Sequence, residues 1–466
     1  MQNRLSHTFW LTLLVVGGLL SLHRLPTLRL GGKPLRRVDV LADVRPDPVR
    51  TAAVPADTDT VAVPLPPPPP RPDFADTCRA GVTCIEEYPD SAGEGGMRRF
   101  YEAVLQRHSL GRPVRIAYFG DSFVEADIFT ADLRALLQEQ YGGCGVGYVP
   151  VTTNFPGFRP TVRHSFSGWE SHSVTDSVGF RRSWQDISGH YFLPRPGAEV
   201  TLEGQRKYAS RLDTCRMSSV YFLTTDSLWL TATVNGRTAY SQAFAGDSLL
   251  QAARVEGRIG KVQWKVERCD STARFFGVTM DDTEGIALDN FSTRGGMGTQ
   301  LEHIPDEMLR AYNRLRTYDL VVLHYGLNIA SEGVTNYSYY TDRLEKVVER
   351  FRRFFPQASL LVVGVGDRDV KDPETGELRT QSGIRPLLRY QQALAVRQHV
   401  AFWNLFQAMG GEGSMARLVE ADPPLANHDY THINFRGGRQ LASLLYEALV
   451  NGQENFEKRK AYEALP

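Results

Sequence analysis

The sequence predicts an α/β domain that is interrupted by an inserted domain of β-strands. Residues 76–155 and 279–455 alternate continuous apolar runs with amphipathic segments, the pattern of strands and helices in a parallel sheet. Residues 156–278 instead contain short β-like runs, such as "MSSVYFLTT" and "SLWLTATVNG", between Gly, Asp, Asn and Ser turns. Helical periodicity is nearly absent there, which predicts a β-sandwich inserted between the two halves of the α/β domain.

The length and charge of the chain limit the classes of function. A chain of 466 residues is long enough for two or three domains. Lys+Arg and Asp+Glu both number 53, so the formal net charge is zero. Nucleic-acid binding usually requires a strong basic excess, so we expect no nucleic-acid partner and no strongly charged substrate.

The N-terminal residues 1–25 predict export of the chain. An apolar run, residues 8–22, follows Arg4 and is shorter than the roughly 20 residues of a membrane span. It suits the core of an export signal, and no small-x-small cleavage site follows it. An uncleaved signal anchor is therefore predicted over a cleaved signal peptide. The protein is expected in the periplasm or cell envelope, with membrane contact only through this segment.

Residues 26–75 are predicted to be a proline-rich linker. They include "VPLPPPPPRPDF", which favours extended polyproline II over a helix or a central strand. Such a spacer would separate the N-terminal segment from the folded body.

The chain has five cysteines, and disulfides are expected in an exported protein. The short segment "CRAGVTC" predicts a disulfide between Cys78 and Cys84. Cys215 and Cys269 lie in one later region and predict a second disulfide, which leaves Cys144 unpaired. No His or Cys pair has the spacing of a zinc site, and no metal is predicted.

The first half of the α/β domain predicts a strand–turn–helix unit. "MRRFYEAVLQRH" is expected to be a helix, and "PVRIAYF" a buried strand that ends at Gly120-Asp121-Ser122. The next apolar residues recur at helical spacing up to the stop "GGCGVG"; they are Phe129, Leu133, Leu136, Leu137 and Tyr141. Ser122 therefore follows the carboxyl end of a strand, where α/β proteins place ligands and nucleophiles.

The second half predicts further strands and helices of the same kind. "YDLVVLHYGLN", "SLLVVGVGDR" and "VAFWNLF" are apolar enough to be strands of a parallel sheet. "DRLEKVVERFRRFF" and "FRGGRQLASLLYEALV" are predicted to be helices.

Polar groups in four short motifs of these segments suit nucleophilic catalysis. A serine hydroxyl needs a base within hydrogen-bond reach, and the base needs an orienting group. His432 and Asp429, three residues apart in "NHDYTHINF", supply such a pair for Ser122. Asn328, at the end of an apolar strand, and the glycine turn of "NFSTRGGMG" supply donors for an oxyanion.

These four motifs, taken in order, resemble the SGNH branch of the GDSL hydrolases. The motifs are Gly120-Asp121-Ser122, the glycine turn, Gly326-Leu327-Asn328 and Asp429-Tyr430-Thr431-His432. The resemblance implies a flavodoxin-like three-layer α/β/α sheet domain that needs no cofactor. It implies Ser122 as nucleophile, His432 as base and Asp429 as its orienting group. It assigns the oxyanion hole to Ser122, Asn328 and Gly295, with Gly296 as the alternative glycine.

A narrower resemblance concerns the substrate. A β domain inserted between the serine motif and the glycine turn is similar to the carbohydrate-binding-like insert of bacterial peptidoglycan O-acetylesterases. The segment "MGGEGSM" is also similar to that group. The resemblance implies removal of acetyl groups from a glycan. Two alternatives stay open, a polysaccharide O-acetyltransferase with the same triad and an inactive glycan-binding protein. The oligomeric state is not predicted.

Polar residues outside the motifs have a structural and a functional interpretation. Asp121 is expected to shape the serine turn. Glu125 and Asp127 lie near the expected site, where most carboxylates are caps or solvated groups. His164, His172 and Trp169 could line a sugar site in the insert, although ordinary β-sheet positions are the favoured interpretation.

Overall fold

The computed structural model describes residues 10, 13–15, 29–30, 33–34, 74–93, 95–176, 178–372 and 374–464. Most of the predicted signal segment and of the proline-rich linker lies outside the described residues. Within residues 1–75, only positions 10, 13–15, 29–30, 33–34 and 74–75 are described. Residues 1–72 and 73–466 form two units. In the first unit, β1 (Arg29–Leu30) pairs antiparallel with β2 (Lys33–Pro34). In the described part of the chain, every helix is too short or too polar to cross a membrane.

A five-stranded parallel sheet forms the centre of the α/β domain. In spatial order its strands are β13 (Ile286–Ser292), β3 (Val114–Gly120), β14 (Leu320–His324), β15 (Ser359–Val363) and β18 (Ala401–Trp403). All four pairings are parallel. Numbered along the chain, the order is second, first, third, fourth and fifth, which is the flavodoxin-like order. Nearly all strand residues are buried, as in a parallel sheet covered on both faces.

Eight helices of the described residues accompany this sheet. They are α1 (Arg98–Leu105), α2 (Thr130–Tyr141), α3 (Asp306–Arg316), α4 (Ser338–Phe354), α5 (Ile384–Arg397), α6 (Leu405–Ala408), α7 (Ser414–Glu420) and α8 (Phe435–Glu463). The long α8 contacts α1 and α2, whereas α4 contacts α3 and α5. These six helices therefore pack in two groups, α1 and α2 with α8, and α3 and α5 with α4. A short hairpin, β16 (Asp369–Lys371) and β17 (Leu378–Thr380), precedes α5.

The chain between β3 and β13 forms nine antiparallel strands. They are β4 (Gly147–Pro150), β5 (Val162–Ser173), β6 (His190–Gly204), β7 (Cys215–Thr224), β8 (Leu228–Val234), β9 (Arg237–Phe244), β10 (Asp247–Ile259), β11 (Lys261–Arg268) and β12 (Arg274–Asp281). Strands β10, β7, β12 and β4 form one run, and β5, β6, β11, β8 and β9 form another. A single residue pair, Phe275 and Phe192, joins the two runs. These strands enclose a hydrophobic core of their own.

A buried ionic cluster ties the segment after Ser122 to its neighbours in space. Asp127 is fully buried and accepts hydrogen bonds from Arg134 Nη1 at 3.0 Å and Arg159 Nε at 2.8 Å. Thr161 Oγ1 and Asn290 Nδ2 also donate to this carboxylate, at 2.7 Å and 3.1 Å. Since Asn290 lies in β13 and Thr161 directly precedes β5, the cluster joins the α/β domain to the antiparallel strands.

One predicted disulfide is confirmed and the other is wrong. Cys78 and Cys84 are bonded, whereas Cys144, Cys215 and Cys269 are free thiols. Cys215 begins β7 and Cys269 follows β11. Because β12 and β6 lie between those two strands in the sheet, closeness in sequence does not bring the two thiols together.

Candidate active site

Ser122 lies in a tight turn at the carboxyl end of β3. Asp121 Oδ1 accepts a hydrogen bond from Phe123 N at 2.9 Å, so Asp121 shapes the turn as expected. A Cβ at Gly120 would lie 2.6 Å from Val124 Cγ2, which explains why glycine precedes this turn. The side chain of Ser122 is thereby held at the edge of the sheet.

His432 is positioned by the start of α8. Asn434 caps the helix, because its Oδ1 accepts from Arg436 N at 2.9 Å and Gly437 N at 3.1 Å. In the first turn, a Cβ at Gly438 would overlap the carbonyl oxygen of Ile128. Glycine there lets α8 approach the segment that follows Ser122, and this close approach brings the His432 loop to the serine.

The structure brings the three predicted residues into one hydrogen-bonded chain. Ser122 Oγ lies 3.0 Å from His432 Nε2, and His432 Nδ1 lies 2.7 Å from Asp429 Oδ2. The other oxygen of Asp429 accepts from the backbone N–H groups of Thr431 at 3.0 Å and His432 at 2.9 Å. The carboxylate therefore fixes both the imidazole ring and the backbone that carries it.

The Asp429 carboxyl is ionised more readily than an isolated aspartate. Partial burial raises its pKa, but the N–H of His432, the imidazole and the N–H of Thr431 outweigh this effect and lower the pKa below its usual value. The side chains of His432 and Asp429 are 40% and 49% exposed, so solvent reaches this end of the chain.

The glycine turn lies directly beside the serine turn. Thr293 N donates to Gly120 O at 2.9 Å, which fixes the end of β13 against the end of β3. Gly296 N donates to Thr293 O at 2.9 Å and is therefore occupied. Among the described residues, the backbone N–H groups of Ser122 and Gly295 have no acceptor. Gly295, with φ of +71°, is thus the glycine whose N–H is available.

The Asn328 amide is already engaged on both of its hydrogens. Its Nδ2 donates to Asp121 Oδ2 at 3.1 Å and to Gly296 O at 3.0 Å. To donate to an oxyanion, this amide must release one of the two acceptors. Burial raises the pKa of Asp121 to about 6, although the N–H of Phe123, His432 and the Asn328 amide oppose the rise.

Some residues beside the site were not singled out from the sequence. Phe155 and Phe158 are exposed aromatic rings on the loop between β4 and β5. Arg294, next to Gly295, forms an ion pair with Glu125 of the segment after Ser122. The signal for the first two was the segment "NFPGF", in which Gly and Pro predict a loop that would expose both rings.

Known proteins share this architecture. No protein-family model and no curated protein sequence matches the chain. A solved structure entitled peptidoglycan O-acetylesterase in action matches with a TM-score of 0.64 and 22% identity, over 79% of this chain and 99% of that one. A family two carbohydrate esterase from Cellvibrio japonicus has a TM-score of 0.26 and 9% identity, over 66% of this chain and 98% of its own.

A putative GDSL-like lipase from Parabacteroides merdae matches with a TM-score of 0.28 and 13% identity, over 36% of this chain and 74% of its own. The first match shows that the chain has the fold of a peptidoglycan O-acetylesterase, in agreement with the SGNH/GDSL resemblance of its motifs.

Proposed function

We propose that the protein is a serine esterase that removes O-acetyl groups from a cell-wall or exported polysaccharide of the peptidoglycan type. The observation that carries this proposal is the unbroken hydrogen-bonded chain from Ser122 through His432 to Asp429. The substrate class is supported by the fold shared with a peptidoglycan O-acetylesterase. An acetylated glycan is accordingly the proposed partner.

In the first half-reaction, Ser122 Oγ attacks the carbonyl carbon of the acetyl ester. His432 Nε2 accepts the serine proton, while Asp429 holds the proton on Nδ1 and stabilises the imidazolium. The available N–H groups of Ser122 and Gly295 donate to the oxyanion that develops. As the intermediate collapses, the sugar oxygen leaves with the proton from His432, and acetyl remains on Ser122.

Asn328 is proposed as the third donor to the oxyanion. The carbonyl of Gly296 is neutral, whereas Asp121 is an acidic group, so the bond to Gly296 is the weaker one to release. The Asp121 carboxylate would meanwhile keep the amide oriented.

In the second half-reaction, water attacks the acetyl-serine while His432 accepts its proton. Acetate then leaves, and the proton returns to Ser122 Oγ. A polysaccharide O-acetyltransferase would differ only at this step, because a sugar hydroxyl would replace water. An inactive glycan-binding protein would have no use for the aligned Ser122–His432–Asp429 chain, which argues against that alternative.

We also propose a domain arrangement for this activity. The two helix groups would cover the two faces of the parallel sheet and make three layers. The two antiparallel runs, joined at one residue pair and enclosing their own core, support a β-sandwich inserted between two α/β segments. Its strands β4 to β12 extend from Gly147 to Asp281, beyond the bounds 156–278 that the sequence predicts between segments 76–155 and 279–455. Residues 1–25 would place the protein in the cell envelope.

The test is hydrolysis of a chromogenic acetate ester and release of acetate from O-acetylated peptidoglycan by wild type and Ser122→Ala. We expect a loss of at least ~10⁴-fold in kcat/KM for the variant on both substrates. Ser443→Ala is the matched control and should retain activity, because this half-buried serine lies within α8 and donates its hydroxyl to Gln440 O of the same helix. Full activity in Ser122→Ala would contradict the proposal, and acetyl transfer that requires an added glycan would favour the transferase.

A further inference from the structure

A cavity of about 370 Å³ lies between the α/β domain and the antiparallel strands. One wall is the segment after Ser122, Glu125 to Asp127, and a second is the end of β13, Ser292 to Arg294. The opposite walls come from β5, the turn that follows it and β6. Ligand cavities in proteins typically enclose about 300–1,000 Å³, so this space is large enough for a bound small molecule.

Three contacts tie the cavity to the Ser122–His432–Asp429 chain. The wall residue Thr293 donates its N–H to Gly120 O, two residues before the serine. The ion pair between Arg294 and Glu125 joins the glycine turn to the serine segment. The ring of Phe158 lies 5.9 Å from that of Phe435, three residues after His432. The cavity is therefore bounded by the same loops that carry the reacting groups.

The charged groups of the walls are already satisfied. Arg159 is paired with buried Asp127, and Arg294 is paired with Glu125. Asp176 accepts the N–H of Ser173 at 2.7 Å. Because each wall arginine has a carboxylate partner, the cavity offers no free cation to a phosphate or carboxylate ligand. An uncharged ligand is favoured.

Hydroxyls and the imidazole of His164 form part of the remaining polar lining. Thr152 Oγ1 and Ser171 Oγ lie 2.7 Å apart, and each can turn its hydroxyl toward a ligand. His164 Nε2 lies 3.0 Å from Val151 O. Burial lowers the pKa of His164 to about 4, so this ring is neutral at neutral pH. Groups of this kind suit a ligand with several hydroxyls.

The cavity also has two exposed aromatic rings. Phe155 and Phe158 are 48% and 42% exposed. The guanidinium of Arg294 lies 5.0 Å from the ring centre of Phe155 and helps to orient it. Such rings offer apolar faces against which the C–H face of a sugar ring can pack and lose its water.

We propose that this cavity binds an uncharged sugar unit of the glycan chain, adjacent to the unit whose acetyl ester reaches Ser122. The proposal rests on the proposed esterase function and adds a subsite to it. It makes the enzyme selective for acetylated chains over acetylated single sugars, because a single sugar at Ser122 leaves the cavity empty. The antiparallel strands then hold substrate against the reacting groups.

The experiment compares kcat/KM for a chromogenic acetate ester and for O-acetylated peptidoglycan chains. We expect Phe155→Ala/Phe158→Ala to lose at least ~10-fold on the chains, mainly through KM, and less than ~3-fold on the small ester. Trp229→Ala is the matched control, since this residue is 41% exposed but lies on β8. The proposal would be overturned if kcat/KM on chains fell equally in the control, or if it did not fall in the double variant.

A second variant guards against misfolding of the first. Thr175 is an exposed cavity residue on the turn after β5, so Thr175→Trp should fill the cavity without removing a packed ring. It should reproduce the ~10-fold loss on chains with an unchanged unfolding temperature. Wild-type activity on chains in this variant would count against the cavity.

A binding measurement separates this proposal from the esterase proposal. Ser122→Ala, which cannot form the acetyl-serine, is titrated calorimetrically with de-O-acetylated glycan chains of peptidoglycan. Binding that weakens at least ~10-fold on adding Phe155→Ala/Phe158→Ala supports the subsite even if wild type hydrolyses no ester. The subsite is rejected, even if wild type is an active esterase, when the glycan chains do not bind or when their affinity is the same with and without the Phe155 and Phe158 rings.

Discussion

Two aspartates within one fold illustrate two uses of a carboxylate. Asp127 is fully buried, and two arginines, two threonines and one asparagine satisfy its oxygens. Asp429 is 49% exposed and is bound to one imidazole and two backbone N–H groups. Burial alone would raise the pKa of Asp127, but the two arginines hold it well below its usual range.

The two clusters differ in whether they present a reactive group to a substrate. Both oxygens of the fully buried Asp127 accept hydrogen bonds, so this carboxylate holds segments together and has no reactive group to offer. The chain from Asp429 ends in a serine hydroxyl that a substrate can reach. We infer that removing a member of the first cluster mainly changes stability, whereas removing a member of the second mainly changes activity.

The largest expected effect is that of His432→Ala on activity. Without the imidazole, no group accepts the proton of Ser122, and we expect kcat/KM on a chromogenic acetate to fall by at least ~10⁴-fold. His428→Ala is the matched control, because His428 is an exposed neighbour on the other side of Asp429. Equal losses of activity in the two variants would show that His432 is not the specific base for Ser122. The unfolding temperature should change little in both.

The next effect is that of Asp127→Asn on stability. The variant leaves Arg134 and Arg159 without their counter-charge in a buried site, which we expect to cost about 3–5 kcal/mol of unfolding free energy. Urea unfolding at pH 7 measures this cost, with Asp176→Asn as an exposed carboxylate control. A variant as stable as wild type would show that solvent or a structural rearrangement compensates for the lost counter-charge of the two arginines.

Acid should reduce the difference between wild type and Asp127→Asn. A carboxyl whose pKa is lowered by folding contributes stability that is fully present above its unfolded pKa of about 3.9 and is lost as the pH falls below it. The two unfolding free energies should therefore begin to converge as the pH falls below about 4, and the gap should go on narrowing toward the lowered pKa of the folded carboxyl. A gap that is constant with pH would mean that the lost charge is not the cause.

The contrast between the two clusters also separates what the sequence predicts from what it does not. The parallel sheet and the placement of Ser122 follow from local patterns, an apolar run that ends in Gly-Asp-Ser before a helical periodicity. The Asp127 cluster joins residues as distant as Asp127 and Asn290, and no local pattern encodes that pairing. The roles of Ser122, Asp429 and His432 stay predictions until activity is measured.

Sheet order was the main information that spacing could not supply. The predicted Cys215–Cys269 disulfide fails because strands close in sequence are separated in the sheet. For the same reason the cavity beside Phe155 was not predicted as a whole, since its walls come from segments that meet only after the antiparallel strands pair. Two of the three residues that were considered from the sequence for a sugar site, His164 and His172, do line it, whereas Trp169 does not. The hydrogen bond from Gly296 N to Thr293 O, which favours Gly295 as the oxyanion donor, is a turn contact that no sequence pattern encodes, and the role of Gly295 stays a prediction.

A smaller effect on activity is expected for Asp429→Asn. The asparagine keeps the shape of the side chain but loses the charge that stabilises the imidazolium. Because the position is half-exposed, we expect a loss on the order of 10²-fold in kcat, less than the ~10⁴-fold seen when such an aspartate is buried. Stopped-flow or steady-state assays on a chromogenic acetate measure it, with Asp422→Asn as a nearby control. Unchanged kcat would show that the backbone alone orients His432.

The smallest effect is that of removing the Cys78–Cys84 disulfide, which extends the comparison to a third region. The bond closes a short loop of sequence separation 6, for which the loss of chain entropy predicts about 2 kcal/mol of stability. Its segment is held to the far end of α8, where Asn455 Nδ2 donates to Thr77 O at 2.8 Å, while His432 precedes the first turn of the same helix. Because the Asn434 cap and Gly438 fix that first turn independently, Cys78→Ser/Cys84→Ser should lower the unfolding free energy and leave kcat within ~2-fold. A parallel fall in kcat would mean that strain passes along α8 to His432, and the division between stabilising and reacting groups would then fail for this helix.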